Sequence, residues 1–194
     1  MVAASNALKP MRISRLTLLL ALAFVLISFT APAQDSVRAV RRAKSTTAPA
    51  MPTNVEPIDT AGLKDLISNP KDKPLLVNFW ATFCDPCRDE FPDLVKVDKD
   101  FRPKSIAFVT VSLDDMTDIK TTVPQFLAQM KATMPAYLLN VSDPEPAINA
   151  VDPKWQGELP ATFLYNAKGE IVFKAFGRVN TDALREAIER LAKN

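Results

Sequence analysis

The chain of 194 residues contains no histidine and only two cysteines. The first absence removes Cys-His proteolysis and histidine-ligated copper binding. The two scarcities together exclude an ordinary structural zinc site, which takes about four nitrogen or sulfur ligands. No cysteine lies just after the N-terminal apolar run, so a bacterial lipoprotein anchor is excluded as well. Charge is not in excess, at +2 overall, and no aromatic cluster interleaves with basic residues. Nothing in that balance points to nucleic acid.

No acidic residue lies before Ala33, whereas Lys9, Arg12 and Arg15 do. Arg12 and Arg15 precede a 14-residue apolar run, Leu16 to Phe29, and Ala31-Pro32-Ala33 supplies small residues before Gln34. That is the pattern of a secretory signal over residues 1–33, cleaved after Ala33, with an uncleaved N-terminal anchor as the alternative. The run is short for a membrane span. Taking the three basic residues of this leader from the 24 in the chain leaves 21 against 22 acidic ones, so the exported part is close to neutral. Residues 34–54 are rich in Ala, Thr, Pro, Ser and Arg with few large apolar side chains, the composition of a flexible tether. Its Arg38, Arg41, Arg42 and Lys44 suit a solvated spacer, with weak contact to anionic lipid as the sharper alternative. The remaining length, 55–194, fits one core.

The two cysteines, Cys84 and Cys87, stand where an apolar run rich in strand-forming residues, Leu75 to Trp80, changes to a helical period carried by Phe91, Leu94 and Val95. Free backbone N–H groups and the positive end of the helix dipole favour a thiolate at such a junction, and Pro86 in the first turn costs no hydrogen bond. Cys84 is therefore the expected nucleophile and Cys87 the resolving thiol. A purely structural disulfide across two intervening residues would close too small a loop to stabilise much. Dithiol–disulfide exchange explains the pair better.

Elsewhere the patterning predicts a short helix over 60–67 ended by Asn69-Pro70, and a helix after Cys87 interrupted at Pro92, where a kink is expected because the ring removes one backbone bond. It predicts a buried strand over 105–113, parallel to the first through the helical crossover. A helix near 124–130, a strand at 136–141, a helical turn at 145–151, a hairpin of 161–165 with 170–176, and a closing amphipathic helix on Leu184, Ala187, Ile188 and Leu191 complete the chain. The sum is an α/β sandwich with a mixed central sheet.

FWATFCDPCRDEFP, followed about seventy residues later by GELPATFLYNAKGEIV, resembles the thioredoxin superfamily and, within it, the exported thiol–disulfide oxidoreductases of the TlpA/ResA type. The resemblance covers 55–194. It implies a thioredoxin-like three-layer sandwich, helices on both faces, with Thr117 to Asn140 as the insertion typical of that branch. It implies a cis peptide bond before Pro160, facing the cysteines and offering the Leu159 backbone to an extended substrate. Trp80, Phe83, Asp85, Pro86, Leu159 and Pro160 are then the substrate-binding residues. Glu90 matches an active-site acid of the ResA-like branch and would relay a proton to or from Cys87. Thioredoxins proper have a buried Asp where this chain has Asn78, so that relay is absent. Phe83 stands where relatives have Trp, which keeps ring stacking and loses an indole hydrogen bond.

The resemblance also implies the redox-active disulfide as the reacting group without a separate cofactor or metal. Substrates would be protein disulfides in the periplasm, with cytochrome c maturation as an example. Electrons would come from a membrane donor of the DsbD or CcdA kind, and membrane contact arises only if the leader is kept. The negative charge of Asp85 beside Cys84 disfavours the thiolate and favours the disulfide, which makes a reductant. The alternatives are a disulfide oxidase or isomerase with the same cysteines, a peroxiredoxin-like peroxidase, and a non-catalytic binding module of the same fold. Phe79 to Cys84 lacks the Pro-x-x-x-Thr-x-x-Cys setting of a peroxidatic cysteine, and retention of both cysteines argues against the binding module.

Overall fold

Six strands and five α-helices follow one another in a computed structural model that describes residues 54–104 and 106–192. The leader expected over 1–33 and the tether expected over 34–54, Asn54 apart, lie outside the described residues. The elements are β1 (Val55–Ile58), α1 (Thr60–Ser68), β2 (Leu75–Trp80), α2 (Asp85–Phe101), β3 (Ala107–Ser112), α3 (Thr122–Gln129), β4 (Ala136–Leu139), α4 (Glu145–Val151), β5 (Ala161–Tyr165), β6 (Ile171–Phe176) and α5 (Thr181–Leu191). Among the described residues no helix is long and apolar enough to cross a membrane.

The strands form one sheet in the order β1-β4-β3-β2-β5-β6. β1, β4, β3 and β2 run parallel, β5 pairs antiparallel with β2, and β6 pairs antiparallel with β5. The parallel pairing of β2 with β3 through α2 is as the sequence predicts. Every residue of β2 is buried because helices cover both faces of the sheet, and such a strand reads as a continuous apolar run. On one face α2, α3 and α5 pack over Leu76, Trp80, Phe108 and Leu164. On the other α1 and α4 cover Val77, Phe79, Val109 and Phe163. This is the expected three-layer sandwich. Residues 117–140 carry α3 and β4.

Two details depart from expectation. β1 is a strand of four residues, pairing in register from Val55↔Ala136 to Ile58↔Leu139, where the sequence suggests only the start of folding. Pro92 does not interrupt α2, which runs through it without a break. Pro92 is exposed, and so is Arg88, whose carbonyl loses its partner at Pro92; water can take that carbonyl, and Phe91 and Leu94 stay in the core.

Candidate active site

The carboxyl end of β2 delivers the chain directly to the cysteines. Cys84 is the N-cap of α2 and Pro86 lies in the first turn, so the helix start is built as the residue types demand. Cys84 and Cys87 are joined by a disulfide with an S–S distance of 2.01 Å and Cα atoms 5.3 Å apart. The Cys87 N–H donates to Cys84 Sγ at 3.3 Å, so one of the free amides of the helix start already faces the sulfur on which a thiolate would form. Cys84 is 9% exposed and Cys87 fully buried. An incoming nucleophile or disulfide therefore meets Cys84, and Cys87 can reach only its neighbour.

Cys84 opens into a groove of about 550 Å³ lined by Phe83, Asp85, Pro86, Leu113, Gly157 and Leu159. Five of the nine predicted site residues thus converge with Leu113 and Gly157: Phe83, Cys84, Asp85, Pro86 and Leu159. Phe83 projects with 74% of its surface exposed. The Leu159–Pro160 bond is cis, as expected, with Pro160 buried and its carbonyl accepting the Gly177 N–H at 2.8 Å. Gly157 has φ +86°, a left-handed conformation costly for other residues, and a Cβ there would come within 2.8 Å of Ile148 Cδ1. Trp155 holds this loop from below, its indole N–H donating to the Glu158 carbonyl at 2.9 Å while its ring packs on Phe79 and Phe163.

Trp80 is a correction. It is fully buried, stacked on Phe126 and edge-on to Phe91, and lies outside the groove. Its place at the end of β2 turns it under α2 and α3, so its contribution is to the core beneath the redox turn rather than to substrate contact.

Glu90 follows Cys87 by one helical turn and points inward, at 1% exposure. Asn78 Nδ2 donates to its Oε1 at 3.0 Å and the Val179 N–H to its Oε2 at 2.8 Å. Burial pushes its pKa above the ordinary carboxylate value, opposed by those two hydrogen bonds and by the charge of Arg178. Asn78 also donates to Thr162 Oγ1 at 3.1 Å, which ties β2, β5 and α2 into one buried polar contact. The position occupied by an acid in thioredoxins proper is here a donor to the acid one layer above it.

Sequence reasoning missed Asp114. Its carboxylate accepts from the Thr82 N–H and hydroxyl, two residues before Cys84, and from the Ser112 hydroxyl. The Ser-x-Asp spacing at the end of β3 is a local hint of a turn, but the partner lies 32 residues earlier and only the fold brings it there.

Comparisons with known proteins agree with this geometry. The thioredoxin domain of a thiol-disulfide oxidoreductase from Bacteroides vulgatus superposes with a TM-score of 0.52 at 25% identity, covering 62% of this chain and 81% of that one. A thiol:disulfide interchange protein from Chlorobium tepidum, of the thioredoxin family, does so at 0.51 and 24%, covering 69% and 84%. The fold is thioredoxin-like. The model of the AhpC/TSA family matches residues 40–174, and the chain belongs to that family. It is similar to the thiol-disulfide oxidoreductase ResA of Bacillus subtilis, 28% identical over 128 residues covering 66% of each chain. The chain spans between 61% and 66% of the length of the ResA proteins from Bacillus subtilis, Oceanobacillus iheyensis and Halalkalibacterium halodurans.

Proposed function

We propose that this protein is a thiol–disulfide oxidoreductase that reduces protein disulfides outside the cytoplasm, in the periplasm, with cytochrome c maturation as one setting. The observation that carries the chemistry is the asymmetry of the pair: Cys84 borders an open groove while Cys87, bonded to it, is sealed beneath. In the dithiol form the Cys84 thiolate attacks one sulfur of a substrate disulfide, forming a mixed disulfide and expelling the other substrate sulfur as a thiolate. Cys87 gives its proton to Glu90, and the resulting thiolate attacks Cys84 Sγ, releasing the second substrate thiolate and closing the Cys84–Cys87 disulfide. Glu90 suits that step because burial makes it a stronger base than a solvated carboxylate. Phe83, Asp85, Pro86 and Leu159 line the path of an extended substrate segment, and Pro160 shapes it.

Export rests on the leader pattern of residues 1–33, with the protein either released or held by an uncleaved anchor. Two electrons and two protons must return to each oxidised pair, and an oxidising compartment has no soluble thiol pool to supply them. A membrane dithiol donor of the DsbD or CcdA kind fits that need. Asp85 beside the nucleophile supports the reducing direction over a disulfide oxidase or isomerase. A Cys87→Ser variant of the full chain should accumulate a mixed disulfide through Cys84, releasable by reductant. Absence of any adduct that Cys84→Ser abolishes sinks the reading, and a measured potential near that of a strong dithiol oxidant reverses its direction.

Membership of the AhpC/TSA family favours one second reading, peroxide reduction at Cys84. Rapid consumption of one equivalent of peroxide per pre-reduced Cys84–Cys87 dithiol, which closes the disulfide and is lost in Cys84→Ser, is the measurement that would replace the first reading by this one.

A further inference from the structure

Asp114 lies two residues past the end of β3, 6% exposed, and takes no part in the exchange steps above. The Thr82 N–H is shared between its Oδ1 at 3.1 Å and Oδ2 at 3.0 Å, and the Thr82 hydroxyl donates to Oδ1 at 2.6 Å. The Ser112 hydroxyl donates to Oδ2 at 2.5 Å, and its oxygen accepts the Asp114 N–H at 3.0 Å. From the other side Arg88 Nη1 donates to the Thr82 carbonyl at 3.2 Å. Thr82 is therefore fixed through its N–H, its hydroxyl and its carbonyl, by Asp114 after β3 and by Arg88 of α2.

Two of the restraints on the position of Cys84 do not persist equally through the redox cycle. In the oxidised form the bond to Cys87 ties it to α2 covalently, and the Thr82 anchorage acts in addition. Reduction by an external dithiol breaks that S–S bond: two electrons and two protons pass to Cys84 and Cys87, and the donor becomes a disulfide. Thereafter the nucleophile is held by backbone bonds, its N–H to the Ala81 carbonyl and its carbonyl to the Arg88 N–H, both at 3.2 Å, by the Cys87 N–H contact to Sγ, and by the anchored chain on its N-terminal side.

We infer that Asp114 is a positioning residue for the nucleophile: acting through Thr82, its carboxylate holds Cys84 at the mouth of the groove in the dithiol form. This rests on the oxidoreductase reading. Because the covalent tie duplicates the anchorage only when oxidised, Asp114 stabilises the reduced form more than the oxidised one. Folding and reduction form a closed cycle, so the difference between the two losses must equal the shift in redox equilibrium.

The test uses the full chain as Thr82→Val, which removes the hydroxyl donor, and Asp114→Asn, which keeps the shape. Each is equilibrated with a glutathione or dithiothreitol couple, and the urea unfolding of both redox forms is measured. The expected result is a shift of the equilibrium toward the disulfide, about tenfold for Asp114→Asn, equivalent to ~30 mV for a two-electron couple, and a smaller one for Thr82→Val. Thr82→Ser, which restores the hydroxyl, returns the equilibrium to within about twofold of the parent. Equal losses of stability in both redox forms with no shift overturn the inference, since a merely structural side chain behaves that way. If Asp114→Asn does not fold, Thr82→Val and Thr82→Ser decide alone. A parent chain that fails to equilibrate with either couple overturns the oxidoreductase reading and this inference with it, whereas a parent that equilibrates beside unshifted variants overturns this inference alone.

Discussion

Glu90 and Asp114 are both buried carboxylates attached to the same redox turn, yet the fold surrounds them differently. Glu90 sits one helical turn past Cys87 and accepts from one amide of Asn78 and one backbone N–H of Val179. Asp114 accepts from the Thr82 N–H to both oxygens, from the Thr82 hydroxyl and from that of Ser112. The first has burial as its largest influence and so keeps a raised affinity for a proton. The second is bound on both oxygens to the segment that carries the nucleophile. A carboxylate left short of donors is suited to exchange protons, and one crowded with them is suited to fix a shape.

The contrast is broken most severely by Asp114→Ala, which strands the Thr82 N–H and two hydroxyls in a buried site. The oxidised domain should lose about 2–3 kcal/mol in urea unfolding at neutral pH. A loss below about 0.5 kcal/mol would mean that water replaces the carboxylate and that the anchorage is not structural. Glu90→Gln should instead leave the fold intact and slow resolution of a mixed disulfide by about tenfold or more, the scale of a lost general base. Stopped-flow release of the second substrate thiol reads that step directly, and an unchanged rate removes Glu90 from the mechanism.

A subtler separation comes from pH. The folded state holds the Glu90 proton to higher pH than the unfolded chain, whose carboxylate titrates near 4.3. Between that value and the raised folded one the native state binds more protons, so this group makes stability fall as pH rises. In Glu90→Gln the downward slope through that window should disappear, as measured by denaturation midpoints of parent and variant at successive pH values. A parallel pair of curves would show that Glu90 carries no net burial penalty. Smallest of all is an ion pair remote from the turn, Lys174 on β6 with Asp152 after α4, where Lys174 is 37% exposed and Asp152 mostly buried. Lys174→Ala should cost well under 1 kcal/mol. Its Asp152 partner, held below the ordinary carboxylate range by that lysine, supports folding above the unfolded carboxylate pKa and loses this support as pH falls.

The comparison also marks what the sequence could and could not reveal. Cys84, Cys87, Pro86 and Glu90 lie within seven residues, and their relations follow from one helix period, so they were legible together. β2, β3 and β5 were legible because burial on both faces produces near-continuous apolar runs, broken only by single buried polar residues such as Asn78, Thr110 and Thr162. β1 was not, since VEPI contains a proline and a charge and becomes a strand only by pairing with β4, eighty residues on. Trp80 misled because residue type and nearness to Cys84 do not reveal which face of β2 it occupies. Asp114 was illegible for the most physical of reasons: its function is a contact with Thr82 that no local pattern encodes.

β6 forms the outer border of the sheet, with Ile171, Val172 and Phe176 each more than a third exposed and backbone groups on one side unpaired by any other described strand. Such a ribbon is a template on which a second copy can polymerise. Lys174 interrupts that apolar series at its middle, and a like-for-like antiparallel pairing centred there would crowd two Lys174–Asp152 ion pairs against each other. A charged side chain at that position disfavours edge-to-edge pairing, so Lys174→Ala should show first as turbidity at high concentration, before any change in thiol chemistry.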